Sequence, residues 1–150
     1  MRALIALAGP NETLLPVDGG ISGYCRLPAT MVGWMPGLER FVEEVDEPIR
    51  LALSLHAADS GLRSELMPVN DRYPLEDVLA LCRRHWERTN RRVFIEYVML
   101  EGVNDAPAQA RSLAKLLGRD AFKVNLIPHN PTGMYAGTSR DAIAAFEAEL

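Results

Sequence analysis

Short apolar runs and amphipathic stretches alternate along the chain from about residue 27 onward. Continuous apolar runs predict buried strands, and apolar side chains at three- and four-residue spacing predict helices. The predicted strands are residues 27–33, 49–56, 93–100 and 122–127, and the predicted helices are residues 36–45, 75–89, 106–117 and 139–150. This repetition predicts an α/β fold of repeated βα units, with a parallel sheet that right-handed crossover helices cover on both faces. Periodicity alone leaves open whether the sheet closes into a barrel.

Local sequence signals mark the ends of the predicted helices. Ser139 is a typical N-cap residue for the last helix, and Gly118 is a typical residue after a helix end. The Asn104-Asp105 pair favours a turn that caps the helix beginning at Ala106. One apolar face of the helix over residues 75–89 is formed by Leu75, Val78, Leu79, Cys82 and Trp86.

The first 26 residues fit the repeat less well than the rest of the chain. The apolar residues 3–8 predict a buried strand. Turn signals rich in glycine, proline and asparagine flank residues 12–17. That intervening stretch is too short for a crossover helix. The pattern therefore separates residues 1–26 from the regular repeat in residues 27–150.

The composition is that of one soluble globular domain, with 48% hydrophobic and 24% charged residues. The net charge of -4 argues against nucleic-acid binding by this segment alone, because phosphate-binding proteins are usually basic. No apolar run approaches about 20 residues, so we expect no membrane-spanning helix. The widely separated Cys25 and Cys82 suggest a reducing compartment, and Cys82 is expected to be a small buried residue.

Polar side chains gather near the carboxyl ends of the predicted strands, where parallel α/β folds bind their ligands. Hydroxyl, imidazole and amide groups around a cavity suit a ligand with a ribose, a carboxylate or an adenine edge. The alternative for His56 is a core histidine that hydrogen-bonds to a backbone carbonyl. These polar residues are Thr30, Ser54, His56, Glu96, Tyr97, Asn104, Asp105, Asn125, His129 and Asn130.

A basic run follows the middle of the helix predicted over residues 75–89. Its position favours a solvated helix surface that complements the negative end of the helix dipole. Contact with phosphate groups is the alternative. The run consists of Arg83, Arg84, Arg88, Arg91 and Arg92.

Four long motifs occur in the chain in the same order as in a known protein family. They are VGWMPG at residues 32–37, LSLHA at 53–57 continuing to MPVN at 67–70, EYVML at 96–100 with VND at 103–105, and VNLIPHNP at 124–131. They resemble the STVGWVPG, ISLHA, EYVML and INLIPWNP segments of the RlmN/Cfr family of radical-SAM RNA adenine-C2 methyltransferases. The resemblance extends over about residues 29–137.

The resemblance implies a partial (βα)6 radical-SAM barrel. Residues 1–26 would then be a diverged or truncated N-terminal part, and residues 27–150 the C-terminal βα units of the core. It also implies S-adenosylmethionine in the barrel mouth and a [4Fe-4S] cluster that cleaves this cofactor reductively. The implied reaction is methylation of C2 of an adenosine in 23S rRNA in the cytoplasm. RlmN types also act on tRNA, Cfr types methylate C8, and neither DNA nor a membrane is an implied partner.

The resemblance also assigns cofactor contacts to individual residues. By the SLH match, S-adenosylmethionine is expected to contact Ser54, Leu55 and His56, and by the NP match it is expected to contact Asn130. A further contact, a serine in the family, falls on Thr30. Threonine keeps the hydroxyl group, so this hydrogen bond is retained in the prediction.

The chain departs from the family in its cysteines. It contains no Cys-x3-Cys-x2-Cys motif and no counterpart of the family's methyl-carrying cysteine. A [4Fe-4S] cluster needs thiolate ligands, and the separated Cys25 and Cys82 do not supply that set. We therefore expect neither a catalytic residue nor a metal ligand here, and no RNA methylation by this chain alone. The alternative is a non-catalytic module that binds a nucleoside or S-adenosylmethionine.

Overall fold

Two sheets are present in the part of the chain that the computed structural model describes, which is residues 4–5, 15–16, 29–46, 48–130 and 133–150. The strands are β1 (Leu4–Ile5), β2 (Leu15–Pro16), β3 (Ala29–Met31), β4 (Leu51–Ser54), β5 (Val93–Met99) and β6 (Phe122–Pro128). The first two strands pair in antiparallel fashion. The other four form one parallel sheet in the order β3-β4-β5-β6, as the repeated βα pattern predicts.

Helices connect and flank the strands of the parallel sheet. They are α1 (Met35–Glu44), α2 (Ser60–Leu66), α3 (Val69–Arg72), α4 (Leu75–Thr89), α5 (Pro107–Leu117) and α6 (Arg140–Glu149). The Ser139 hydroxyl accepts a hydrogen bond from the Ala142 N–H at 3.3 Å, which confirms the predicted cap of α6. Asp59 caps α2 in the same way, accepting from the Leu62 N–H at 2.9 Å. The short helices α2 and α3 were not predicted from the sequence.

All of the crossovers run in the same direction, because the strand order in the parallel sheet follows the chain order. Right-handed crossovers then place every connecting helix on one face of the sheet. Burial along β5 and β6 agrees, since buried and half-buried residues alternate along β5, and β6 exposes Lys123 and Asn125. In β4 the small Ala52 is fully buried on the opposite face. The prediction that helices cover both faces is therefore wrong for the described residues. One-way winding is the arrangement of a barrel wall.

The hydrophobic core lies between the covered face of the sheet and the helices. Leu53 and Ile95 of the sheet are fully buried, as are Leu38 of α1 and Leu113 of α5. Fully burying each such side chain contributes about 1.5–3 kcal/mol, so the core is the main source of stability. Cys82 is fully buried in α4, as predicted.

The amino-terminal predictions lie largely outside the described residues. Within the predicted strand over residues 3–8, Leu4–Ile5 is a strand that pairs with Leu15–Pro16. Residues 1–3, 6–14 and 17–28 are not described, so the division at residue 26 stays a prediction. Among the helices of the described ranges, none has the length and apolar character needed to cross a membrane.

Candidate functional site

The sheet face opposite the helices, called the open face below, carries side chains in rows that the parallel register fixes. Alternate residues of a strand point to opposite faces, so these side chains belong to residues between the core positions. The first row is Thr30, Ala52, Phe94 and Lys123. The second row, nearer the carboxyl ends of the strands, is Ser54, Glu96 and Asn125. The third row contains Val98 and Ile127.

Polar and charged groups on the open face are held by their neighbours. In the second row, the Asn125 amide donates a hydrogen bond to the Glu96 carboxylate at 2.7 Å. In the first row, the Arg50 and Lys123 cations lie 5.6 Å and 5.7 Å from the centre of the Phe94 ring. The open face therefore presents a carboxylate fixed beside a serine, with positive charge one row away.

Beyond the end of β4, the chain turns sharply at His56. This residue has a φ of 59°, a left-handed conformation that residues with a β-carbon seldom adopt. The Val98 N–H donates to His56 Nδ1 at 3.1 Å, and the Asn104 side chain donates to the His56 carbonyl at 2.8 Å. Just before the turn, the Leu55 N–H donates to the Glu96 carbonyl at 3.0 Å. The turn is therefore tied to β5 on both sides of its bend.

The imidazole of His56 is neutral at physiological pH. Burial, and then the positive charge of Arg63, lower the pKa of His56 to about 4. Because Nδ1 accepts a hydrogen bond, the proton of the neutral ring resides on Nε2. The expectation of a core histidine bonded to a carbonyl is therefore wrong, since the ring is half-buried and its Nδ1 partner is an N–H group.

A buried guanidinium connects the carboxyl ends of β3 and β4. Arg63 is fully buried, and its Nη2 donates to the Val32 carbonyl at 3.0 Å and to the Ser54 carbonyl at 3.4 Å. Its Nη1 donates to the Asn70 side chain at 2.7 Å, and burial lowers the pKa of Arg63. Gly33, with a φ of +96°, passes so close that an added β-carbon would lie 3.0 Å from Nη2. Arg63 therefore fixes the strand ends that border the open face.

Asn104 has a different role from the predicted helix cap. It is fully buried, and its side chain accepts from the Leu100 N–H at 2.7 Å while donating to the Val98 carbonyl at 2.7 Å. The beginning of α5 is instead capped through Gln109, whose side chain accepts from the Ala106 N–H at 2.9 Å. The predicted turn is present at residues 101–104, but the predicted cap by the Asn104-Asp105 pair is wrong. Asn104 bonds to β5 and His56, and the Asp105 carboxylate accepts from the Gly102 N–H and the Thr138 hydroxyl.

The basic run on α4 makes contacts within the chain. Arg84 pairs with Glu43 at 2.5 Å and Arg88 with Asp46 at 3.0 Å. Arg83 donates to the Leu116 carbonyl at 2.8 Å. These contacts support the interpretation of the run as helix surface rather than as a phosphate-binding strip.

Comparison with known proteins identifies relatives over most of the chain, although no family model matches it. The probable dual-specificity RNA methyltransferase RlmN of Heliobacterium modesticaldum is 50% identical over 113 residues, which are 75% of this chain and 29% of the relative. The dual-specificity RNA methyltransferase RlmN of Syntrophobacter fumaroxidans is 40% identical over 152 residues, covering 100% of this chain and 42% of the relative. The crystal structure of a radical SAM methyltransferase from Sphaerobacter thermophilus matches with a TM-score of 0.75 and 42% identity, over 80% of this chain and 36% of that chain.

This chain belongs to the RlmN/Cfr family. The membership confirms the resemblance drawn from the four motifs, and the structural match confirms the α/β fold of a radical-SAM methyltransferase. The chain spans less than half the length of the RlmN relatives it matches, 29% of one and 42% of another.

The structure places the contacts expected from the RlmN/Cfr motifs in β3, in or just after β4, and beyond the end of β6. Ser54 is half-buried in the second row, and Thr30 is exposed in the first row. Leu55 is fully buried, so its backbone is the part available for a contact, and His56 follows it in the turn. Asn130 is exposed beyond the end of β6, two strand spacings or about 10 Å across the sheet from β4. Ser54, Leu55 and His56 are brought together, while Asn130 is set apart, and their binding roles stay predictions.

The two cofactors of radical-SAM chemistry fit the described residues to different degrees. Hydroxyl, imidazole N–H and amide groups at the strand ends suit the polar groups of S-adenosylmethionine. No group of three or more histidine, cysteine or acidic side chains that suits a metal ion occurs in the described ranges. Burial raises the pKa of the Cys82 thiol to about 12, so it is a poor thiolate ligand, and Cys25 lies outside those ranges. The described residues therefore offer hydrogen-bonding groups of the kind that S-adenosylmethionine requires, and they do not fit a [4Fe-4S] cluster.

The roles of two residues that shape this site are not predicted by the sequence. Arg63 gave no signal of burial, because arginine is almost always exposed unless it is paired. The sequence identifies Asn104 as a polar residue after a strand but predicts a helix-capping turn for it. The VND motif that contains it was the signal that pointed to a more specific role.

Proposed function

We propose that this chain is the cofactor-binding part of a radical-SAM methyltransferase that methylates C2 of an adenosine in 23S rRNA and acts also on tRNA. The observation that carries the proposal is the position of Ser54 in the last residue of β4 and of His56 two residues beyond it, where its ring is bonded to the end of β5. Ligands of parallel α/β sheets bind at this end of the strands. The free thiol of Cys82 is compatible with a reducing compartment, and we propose the cytoplasm.

In this proposal the chain binds and orients S-adenosylmethionine. The Ser54 and Thr30 hydroxyls and the Asn130 amide supply hydrogen bonds to its ribose and carboxylate, and Leu55 contributes backbone groups. His56 contributes a neutral Nε2–H donor. The described residues hold no ligand set for the [4Fe-4S] cluster that reductive cleavage of this cofactor would require. The proposal therefore assigns binding to this chain and expects no methylation by the chain alone.

Calorimetric titration of S-adenosylmethionine into the 150-residue chain tests the binding role. Ser54→Ala removes one hydroxyl on the open face, and we expect the dissociation constant to rise about fivefold, the scale of one lost hydrogen bond of about 1 kcal/mol. Ser112→Ala is the matched control, because the Ser112 hydroxyl bonds within α5 to the Ala108 carbonyl. Absence of binding by a well-folded chain, or an equal effect of both substitutions, would contradict the proposal.

The second candidate function is a non-catalytic module that binds a nucleoside or S-adenosylmethionine. The inaccessible thiol of Cys82 and the lack of a metal-binding group in the described ranges favour it. A chimera separates the two functions: this chain replaces the segment of the Syntrophobacter fumaroxidans relative that it matches. Methylation of an rRNA fragment by the chimera supports the enzyme. Cofactor binding without methylation supports the binding module.

A further inference from the structure

The left-handed conformation of His56 requires partners that hold it in place. Residues with a β-carbon avoid this region because the side chain crowds the backbone, and histidine reaches it only as an occasional exception. Two contacts maintain the conformation here. The Val98 N–H donates to His56 Nδ1 at 3.1 Å, and Asn104 Nδ2 donates to the His56 carbonyl at 2.8 Å.

Asn104 is itself immobilised by its surroundings. It is fully buried, and its side chain is bonded to the Leu100 N–H and to the Val98 carbonyl, both at 2.7 Å. Its backbone carbonyl accepts a hydrogen bond from the fully buried Tyr97 hydroxyl at 2.9 Å. The oxygen and one N–H of the Asn104 amide are thus bonded to the end of β5, and the second N–H holds the turn at His56.

The chemistry of this position requires an amide. The position needs one acceptor for the Leu100 N–H and two donors for the carbonyls of Val98 and His56. Ionised aspartate offers acceptors without donors, and leucine, which has a similar shape, offers neither. Asparagine is the side chain of this size that meets all three requirements.

We propose that Asn104 is a positioning residue, which holds the turn at His56 so that the imidazole presents its Nε2–H to the ligand as a fixed hydrogen-bond donor. The inference deepens the proposed function, and its ligand is the S-adenosylmethionine of that proposal. The ligand atom that receives this bond is an acceptor, a ring nitrogen or an oxygen. Because Nδ1 already accepts from the Val98 N–H, the ring offers the ligand a donor at Nε2 and no acceptor.

Nitrogen-15 NMR of the His56 ring at pH 8, where the imidazole is neutral, tests the positioning without any ligand. In the unaltered chain we expect a single tautomer protonated on Nε2. In Asn104→Leu we expect an average of both neutral tautomers, because the ring is released from the Val98 N–H. The matched control is Gln109→Leu, which also removes an amide that bridges the Ala106 N–H and the Val103 carbonyl in the same loop.

Cofactor titration completes the test. We expect S-adenosylmethionine to bind Asn104→Leu at least about fivefold more weakly, the scale of one hydrogen bond, and to bind Gln109→Leu as it binds the unaltered chain. If Asn104→Leu does not fold, Asn104→Asp replaces it, because aspartate keeps the acceptor for the Leu100 N–H. Folded Asn104 variants with an unchanged His56 tautomer and affinity within twofold overturn the inference. If the unaltered chain binds no cofactor, the proposed function fails, and the NMR result still decides the positioning role.

Discussion

Replacing Arg63 with lysine keeps a positively charged side chain and removes the planar guanidinium, whose two Nη groups donate to different acceptors. In the structure, Nη1 donates to the Asn70 side chain at 2.7 Å, while Nη2 donates to the Val32 carbonyl at 3.0 Å. Lysine carries one compact ammonium on a flexible stem and does not reproduce the planar, two-pronged geometry. At least one of these buried acceptors therefore loses its partner in Arg63→Lys.

The size of the effect follows from the type of bond that is lost. A hydrogen bond to a charged group contributes about 1.5–3 kcal/mol, and burying the more strongly hydrated ammonium costs no less than burying the guanidinium. We therefore expect Arg63→Lys to lower the free energy of unfolding by about 2 kcal/mol. The control is Arg84→Lys on the surface of α4, where the arginine side chain is 57% exposed beside Glu43. An exposed ion pair contributes about 0–1 kcal/mol, so this control changes stability little.

Urea unfolding followed by circular dichroism measures both variants. We expect a lower midpoint for Arg63→Lys with an unchanged slope, and a melting temperature lower by about 4–8 °C for a domain of this size. If the unfolding free energies of Arg63→Lys and the unaltered chain agree within about 0.5 kcal/mol, as is usual for a surface substitution, the guanidinium of Arg63 does not hold the strand ends together and the prediction is refuted.

Three further predictions concern the same region and its support. Gly33 has a φ of +96° and lies against Arg63, so we expect Gly33→Ala to lower the unfolding free energy by more than about 1 kcal/mol. The control, Gly61→Ala in α2, is expected to change it by less. Equal effects of the two substitutions in urea unfolding would contradict the conformational argument. The pKa of His56 is lowered from 6.5 to about 4 in the folded chain, so the unfolded chain binds a proton at His56 more readily. The contribution of His56 to stability is therefore fully present above pH 6.5 and declines as the pH falls toward 4. In His56→Asn we expect a smaller stability difference between pH 7 and pH 5, and an unchanged difference would refute the assignment. Phe146→Ala removes a fully buried ring from α6 and lowers the unfolding free energy by about 3–5 kcal/mol, and a loss below about 1 kcal/mol would show that this helix is not docked.

Long amphipathic segments were predicted well from the sequence, whereas strand ends were not. The predicted helix over residues 75–89 coincides with α4, because fifteen residues of sustained periodicity leave little ambiguity. The strand predicted over residues 49–56 is longer than β4, which covers Leu51–Ser54. Leu55 and Ala57 are fully buried although they lie beyond the strand, so apolar character continued past the end of the ladder.

The short helices α2 and α3 had no apolar period to reveal them. Their buried residues are the polar Arg63 and Asn70, joined by a hydrogen bond of 2.7 Å between the two helices. Asn70 also donates to the Ser60 and Ser64 hydroxyls at 3.0 Å and 2.9 Å. A polar network of this kind depends on segments that meet only in three dimensions, so local sequence patterns do not predict it.

The sequence motifs name the residues of the candidate site, whose binding roles stay predictions, but they do not reveal the residues that hold those side chains in place. The SLH and NP motifs pointed to Ser54, His56 and Asn130, which the structure places at the carboxyl ends of two strands. The clamp of Asn104 on His56 spans 48 residues of sequence, and no local rule connects them. The open face was also unforeseen, since it follows from the spatial order of the strands.

One-sided coverage of the sheet separates two kinds of selection along the same strand. In β5, Ile95 and Tyr97 are fully buried against the helices, so most substitutions there leave a cavity or a clash. Their neighbours Glu96 and Val98 face the other way, where a substitution alters the surface offered to a ligand without opening the core. Mutational tolerance should therefore oscillate with a period of two residues. Ligand preference can then drift in evolution at nearly constant stability.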